Sequence, residues 1–176
     1  MTELPEWRRP PFADPGAWRR FRSKVVRTST CWVWTGAVSD GYGMFHDATY
    51  AVDGRSATVR VSRWIWSAHN GPMRAAHVVL HECDTPLCVR YDPAACHLSA
   101  GTQADNLQMA AGRDRITNGV RLGRADIRGQ HQQSLAIRAA MRAAVAEGIA
   151  DPDRLAEILA SVVAQGDPFA GQGALF

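Results

Sequence analysis

The residues able to do chemistry gather in one stretch of this 176-residue chain. It reads Leu80-His81-Glu82-Cys83-Asp84-Thr85-Pro86-Leu87-Cys88, then Cys96-His97-Leu98, then Gly101-Thr102-Gln103-Ala104-Asp105-Asn106. Cys83 and Cys88 flank a turn that contains proline, and His97 follows in the same loop. Cys31, far upstream, can complete a set of three thiolates and one imidazole, which is a closed structural zinc site. Cys96 stands beside His97 and is the alternative fourth ligand. Residues 82–101 hold turn formers and too little apolar surface to order themselves, so a metal staple is what such a loop needs. The same side chains read otherwise are buried free thiols or one or two disulfides. Without an apolar run in the first 30 residues, no secretory signal is expected. A reducing cytoplasm follows as the expected compartment, and there cysteines serve metals before disulfides. No run of about 18 apolar residues occurs, so no membrane span is expected.

His81 differs from the thiolates because it follows the apolar run Val78-Val79-Leu80. A neutral imidazole there, oriented through one ring nitrogen, can take a proton from water at the other. Asn106 falls on the helix expected after the loop, and its amide oxygen can help hold a hard divalent cation. A base, a cation and a nearby arginine are the parts that phosphodiester hydrolysis needs. Arg60 and Arg63 both lie at the start of the segment before His81, and sequence alone does not choose between them.

These residues need elements to hold them. Residues 1–12, rich in proline, read as an irregular arm. Asp14-Pro15 opens a helix expected to run to about Arg27 and to bury Trp18, Phe21 and Val25. Cys31 to Gly36 is aromatic and β-branched and reads as a strand. Ser39-Asp40-Gly41 is a turn, and residues 42–46 are expected to pair back as a second strand, with a third at 56–61. Residues 61–70 read as a helix stopped by Gly71-Pro72. Residues 78–80 are a short strand, and residues 103–112 a helix with Thr102 as its N-cap. Residues 13–115 thus form the main unit. Residues 116–133 read as a basic linker, 134–166 as a helical hairpin packed on the core or used for dimerisation rather than a helix-turn-helix reader of DNA, and 167–176 as a frayed tail. Leu155, Ile158, Leu159 and Val162 share one face of the second hairpin helix.

Charge is uneven. The net value is only +3, yet residues 1–30 carry seven basic and three acidic side chains, and residues 111–142 carry seven and two. Residues 143–176 reverse this, with one basic and five acidic. All the basic residues but Lys24 are arginine, the residue suited to forked contacts with phosphate. Two basic flanks suit a polyanion, and Arg113, Arg115, Arg121, Arg124 and Arg128 are the expected contacts to double-stranded DNA. Arg138 and Arg142, four apart, share a helix face and can extend that track.

The ordered motifs carry a resemblance. Cys31-Trp32-x-Trp34-Thr35-Gly36, Gly41-Tyr42-Gly43, Arg63-x-x-Trp66, Asn70-Gly71-Pro72, His81-x-Cys83-Asp84-x-Pro86-x-Cys88 and His97-Leu98-x-x-Gly101-Thr102-x-x-Asp105-Asn106 together resemble the phage and actinobacterial HNH endonuclease family. They are also similar to the His-Cys box homing endonucleases. The resemblance covers residues 15–115. It implies an α+β fold with a ββα-metal (His-Me finger) core, a zinc-stapled loop and a small antiparallel sheet, here with a helical C-terminal extension. It implies His81 as general base, Asn106 as ligand to a catalytic Mg²⁺ (or Mn²⁺), Arg63 or Arg60 as support for the transition state, and Cys31, Cys83, Cys88 and His97 as ligands to structural Zn²⁺. A homodimer would be the simplest route to cutting both strands. The sequence departs from the family in three places. Arg90 to Ala95 lengthens the loop, Ser62 stands where a histidine is common, and Gln108 stands where an acid is common. Those departures keep open a second reading, a zinc-stabilised DNA-binding or phage packaging module without catalysis.

Overall fold

Pro15, with its preset φ, starts helix α1 (Pro15–Arg22), which buries Ala17 and Phe21. A computed structural model describes residues 15–50, 57–71, 73, 76–92, 95–112, 116–117, 120–121 and 126–167. The N-terminal arm, residues 1–12, and most of the tail, 168–176, lie outside these. Helix α1 is shorter than expected. Val25–Arg27 leaves it to form strand β1, antiparallel to β2 (Trp32–Trp34), with Val25 opposite Trp34 and Val26 opposite Val33. The β-branched Val25-Val26 pair packs better across a strand from Trp34 and Val33 than on a helix face.

The expected pairing of residues 42–46 with the Cys31–Gly36 segment is also corrected. Strand β3 (Ala37–Ser39) intervenes, and β4 (Tyr42–His46) pairs with β3 on one side and with β5 (Thr58–Arg60) on the other. Asp40 and Gly41 both have positive φ, 50° and 82°, the backbone of a two-residue hairpin turn that matches strand twist. The chain bends at Thr35-Gly36 because the Trp34 indole folds over it, donating from Nε1 to the Ala37 carbonyl at 3.0 Å. A Cβ at Gly36 would lie 2.3 Å from that ring, and one at Gly43 2.5 Å from it. Both glycines of the Trp-Thr-Gly and Gly-Tyr-Gly motifs are therefore room for one tryptophan.

Helix α2 (Val61–Asn70) lays Val61, Trp64, Ile65 and Ala68 on this sheet and ends at Gly71, whose φ is 85°. Phe21, Trp34, Phe45 and Trp64 form one aromatic cluster, with Phe45 and Trp64 centroids 4.6 Å apart and edge-on. Buried Asp47 accepts from the Trp64 indole at 2.7 Å and from the Thr49 amide at 2.9 Å.

Strand β6 (Val78–His81) runs antiparallel to β7 (Leu98–Gly101), and helix α3 (Gln103–Gly112) follows at once. Strand β7 lies inside the stretch expected to have no order of its own. Leu80 opposite Ser99 and His81 opposite Leu98 give it backbone partners that periodicity could not reveal. A short hairpin, β8 (Ile116–Thr117) with β9 (Val120–Arg121), occupies part of the expected linker.

Helix α4 (Gln130–Ala146) begins four residues before the expected hairpin, and α5 (Pro152–Ala164) starts at the Asp151 cap. The early start has a cause. The Gly41 amide donates to His131 Nδ1 at 3.1 Å, and the Ser134 hydroxyl donates to the Gly41 carbonyl at 2.7 Å. Ile137, Met141 and Leu159 then join the same core as Trp34 and Trp64. Met141 is fully buried, so Met141→Ala should cost about 2–5 kcal/mol. Urea unfolding followed by both tryptophan fluorescence and helical circular dichroism should show one shifted transition. Helices that melt apart from the aromatic core would contradict this shared packing.

Candidate metal centre

Four chain segments bring the site together. The Thr28–Cys31 turn is closed by its own side chain: Thr28 Oγ1 donates to the Cys31 carbonyl and accepts from the Cys31 amide, both at 2.8 Å. Cys83 follows β6 directly, and Asp84 takes the left-handed conformation (φ 57°) that Asp tolerates and that reverses the loop. Cys88 is held by the sheet. The Trp34 amide donates to the Leu87 carbonyl at 2.8 Å and the Val89 amide to the Trp32 carbonyl at 2.7 Å, so Cys88 pairs with Val33 as an added edge of β2. His97 immediately precedes β7, its carbonyl accepting from the Glu82 amide at 2.9 Å.

The ligand atoms of Cys31, Cys83, Cys88 and His97 all lie within 4.8 Å of one another. His97 Nδ1 is 3.7 Å from Cys31 Sγ and 3.6 Å from Cys88 Sγ. A tetrahedral zinc with its usual bond lengths would set such edges at about 3.6 Å between S and N and about 3.8 Å between two sulfurs. The donor set and its spacing fit a structural metal such as zinc. The Arg90 amide also donates to Cys88 Sγ at 3.5 Å, an outer hydrogen bond that stabilises a thiolate. The cysteines are not in disulfides. Cys96, the alternative ligand, stands outside the set: it is exposed and its thiol donates to the Leu98 carbonyl at 3.1 Å.

Without a cation the three sulfurs cannot all be charged. Hydrogen bonds from Cys31 and then Cys88 hold Cys83 far below the ordinary thiol range. Its bond to Cys83 pushes Cys31 up to about 11, and the bond to Cys31, then that to Cys83 and burial, push Cys88 up strongly. Burial and mutual hydrogen bonding thus resist charging all three sulfurs at once, and a bound metal would displace their remaining protons.

His81, the last residue of β6, touches this set through the backbone. Its Nε2 lies 3.2 Å from the Cys88 carbonyl. A carbonyl only accepts, so Nε2 carries the proton and the lone pair of the neutral ring is at Nδ1. Burial lowers the His81 pKa, opposed by the negative charge at Cys83. Asn106 stands exposed in the first turn of α3. That turn is fixed by a reciprocal cap: the Asp105 amide donates to Thr102 Oγ1 at 3.2 Å, and Asp105 Oδ2 accepts from the Thr102 amide at 2.7 Å and from its hydroxyl at 2.8 Å. These bonds hold the Asp105 carboxyl below its ordinary range, the backbone one most.

Both candidate arginines have partners within the fold. Arg63 donates to the His77 carbonyl at 2.8 Å and to the Met73 carbonyl at 3.2 Å, gripping the segment that leads into β6. Arg60 lies 3.9 Å over the Tyr42 ring. Ser62 is buried and Gln108 exposed. Of the expected DNA contacts, Arg113, Arg115 and Arg124 lie outside the described residues, as does the side chain of Arg121. Arg128 donates from Nε to Asp126 Oδ1 at 2.8 Å and from Nη2 to the Val162 carbonyl at 2.9 Å, a clamp on α5 rather than an open cation.

Sequence reasoning missed Arg90, which donates to the Ser29 and Thr30 carbonyls at 3.1 and 2.6 Å and so ties the loop to the Cys31 turn. It also missed Tyr91, stacked on His69 at 4.2 Å with its hydroxyl donating to Asn70 Oδ1 at 2.9 Å. The loop extension is therefore docked on α2. Its one aromatic residue, Tyr91, was the available signal.

No family model and no solved structure matches the chain. It is similar to Protein 2.8 of Escherichia phage T7, with 27% identity over 113 residues, covering 58% of this chain and 64% of that protein. The chain thus spans less than two thirds of the relative's length. Among the described residues no helix is long and apolar enough to cross a membrane.

Experiment separates the four-residue set from Cys96. Purified protein should carry close to one zinc per chain. Cys83→Ser should lose most of it and melt at lower temperature, while Cys96→Ser should keep the wild-type content. Emission spectrometry with a thermal melt reads both. A Cys83→Ser protein with full zinc would refute the site.

Proposed function

We propose that this chain is a metal-dependent DNA endonuclease of the HNH, ββα-metal kind. The observation that carries the reading is the arrangement around His81. It ends the first of two antiparallel strands, its Nε2 is bonded to the Cys88 carbonyl of the metal loop, and the second strand leads into the helix whose first turn carries Asn106. The similarity to a phage protein is consistent with it.

On this reading His81 Nδ1 takes the proton of the attacking water, while the bond from Nε2 to Cys88 fixes ring and tautomer. The Asn106 amide oxygen would hold Mg²⁺ or Mn²⁺, which supplies charge stabilisation to the phosphate and the leaving 3′ oxygen. Arg63 or Arg60 would add positive charge beside the phosphate. The products would be a 5′-phosphate and a 3′-hydroxyl. The metal loop would stay structural, and a homodimer would serve for cutting both strands.

Gln108 favours the second reading, a zinc-stabilised DNA-binding or packaging module. It presents an amide on α3 where related nucleases carry an acid, so a catalytic cation would have one charged ligand fewer. Supercoiled plasmid incubated with Mg²⁺ distinguishes the two. The wild type should nick or linearise it, and His81→Ala should lower the rate by about 10²–10⁴-fold with zinc content unchanged. A His81→Ala protein as fast as wild type would refute the base assignment, and an inert wild type would favour the second reading.

A further inference from the structure

A notch among the described residues is not used by the proposed nuclease site. It has a volume of about 390 Å³ and is lined by Ser23, Lys24, Thr35, Gly36, Arg138 and Arg142, with Ala37 at its edge. Lys24 immediately precedes β1, Thr35 and Gly36 form the bend after β2, and the arginines come from α4, more than 100 residues later. We propose that this notch is a second phosphate seat, which grips a phosphodiester of the DNA backbone away from the metal loop. The partner, DNA, rests on the reading above; the seat itself rests on the notch.

Three cations meet there with no carboxylate in the lining. Among the described residues none of the three has an acidic partner; the ion pairs there are made by Arg90, Arg128 and Arg154. Arg138 and Arg142 are four apart on one helix face, a like-charge spacing that weakens a helix unless an anion answers it. Helix α4 contains no acidic residue, whereas α5 carries Asp153 and Glu157 on its surface. Of the two C-terminal helices, the one that lines the notch is thus the one without acidic side chains.

The cations are aimed by contacts that leave them chemically available. Arg138 Nη1 makes a 3.3 Å bond to the Gly36 carbonyl, which sets the guanidinium plane and leaves the rest of its N–H fork for an anion. Lys24 rests 6.0 Å from the Trp34 ring. Thr35 donates twice to the Lys24 carbonyl, from its hydroxyl at 3.0 Å and its amide at 2.8 Å, pinning the backbone that carries the ammonium. Arg142 and Lys24 are exposed, so a phosphate reaches the seat without rearrangement. Thr35 and Cys31 lie at opposite ends of β2, about 13 Å apart for extended chain. One DNA strand covers that with about four nucleotides, so notch and metal loop can face the same strand.

Fluorescence anisotropy of the full chain on a short labelled duplex, without Mg²⁺, tests the seat across a salt series. Arg138→Gln/Arg142→Gln should bind about tenfold more weakly near physiological salt, with the slope of log affinity against log salt reduced by about two. Lys24→Gln, on a different element, should reduce it by about one, and Arg154→Gln should change nothing. Circular dichroism confirms the fold of each. Wild-type affinity and slope in both notch variants, or no binding of DNA by the wild type, would overturn the proposal. So would calorimetry showing that inorganic phosphate binds the notch while the variants leave DNA affinity intact, since the seat would then serve a free anion. His81→Ala should keep the full salt slope, so loss of cleavage and loss of the seat are separate results.

Discussion

The meeting of three sulfurs and one imidazole is the constraint on which the rest of the molecule depends. It joins the turn before β2, the exit of β6, the edge strand at Cys88 and the entry of β7. Leu87 and Val89 seat the middle of the loop in the core, and the clamp fixes its two ends, at Cys83 and His97. The same loop sets the carbonyl of Cys88, to which His81 is bonded. Orientation of that imidazole is therefore a consequence of the clamp, transmitted through one backbone group.

The remainder of the fold braces that unit. Trp34 is the shared part: it closes the bend to β3, packs on Phe21 and Phe45, and lies on the strand to which the Cys88 segment is paired. Helix α2 covers this core and is tied through Arg63 to the segment entering β6. From the far side α4 is anchored on the β3–β4 turn through Ser134 and His131. Clamp, sheet and C-terminal helices thus share one core, and displacement of any of them is felt at β6.

Much of this was legible in the sequence where local chemistry is distinctive. Two cysteines and a histidine in one loop, with Cys31 upstream, pointed to the ligand set, Gly71 marked the end of α2, and Thr102 marked the start of α3. What was not legible depended on partners distant in sequence. Val25 and Val26 follow a helix smoothly and become a strand only because Trp34 and Val33 lie opposite. Residues 98–101 carry no alternation and become a strand because β6 offers its backbone. The resemblance already favoured His97 over Cys96, and the structure places His97 among the three sulfurs and leaves Cys96 outside. Arg128 looked like an open cation until Asp126 and the end of α5 were seen beside it. Arg138 and Arg142 gained a partner in Lys24 by the same long-range folding.

Hydrogen exchange before and after removal of zinc by a chelator tests the central claim most directly. If the clamp organises the site, the amides of Val89, Glu82 and the β6–β7 ladder should lose protection together when the metal leaves. The amides of α4 and α5, held by Ile137, Met141 and Leu159, should keep theirs. Unchanged protection across residues 78–101 in the metal-free protein would contradict it, because the loop and the orientation of His81 would then owe nothing to the ion.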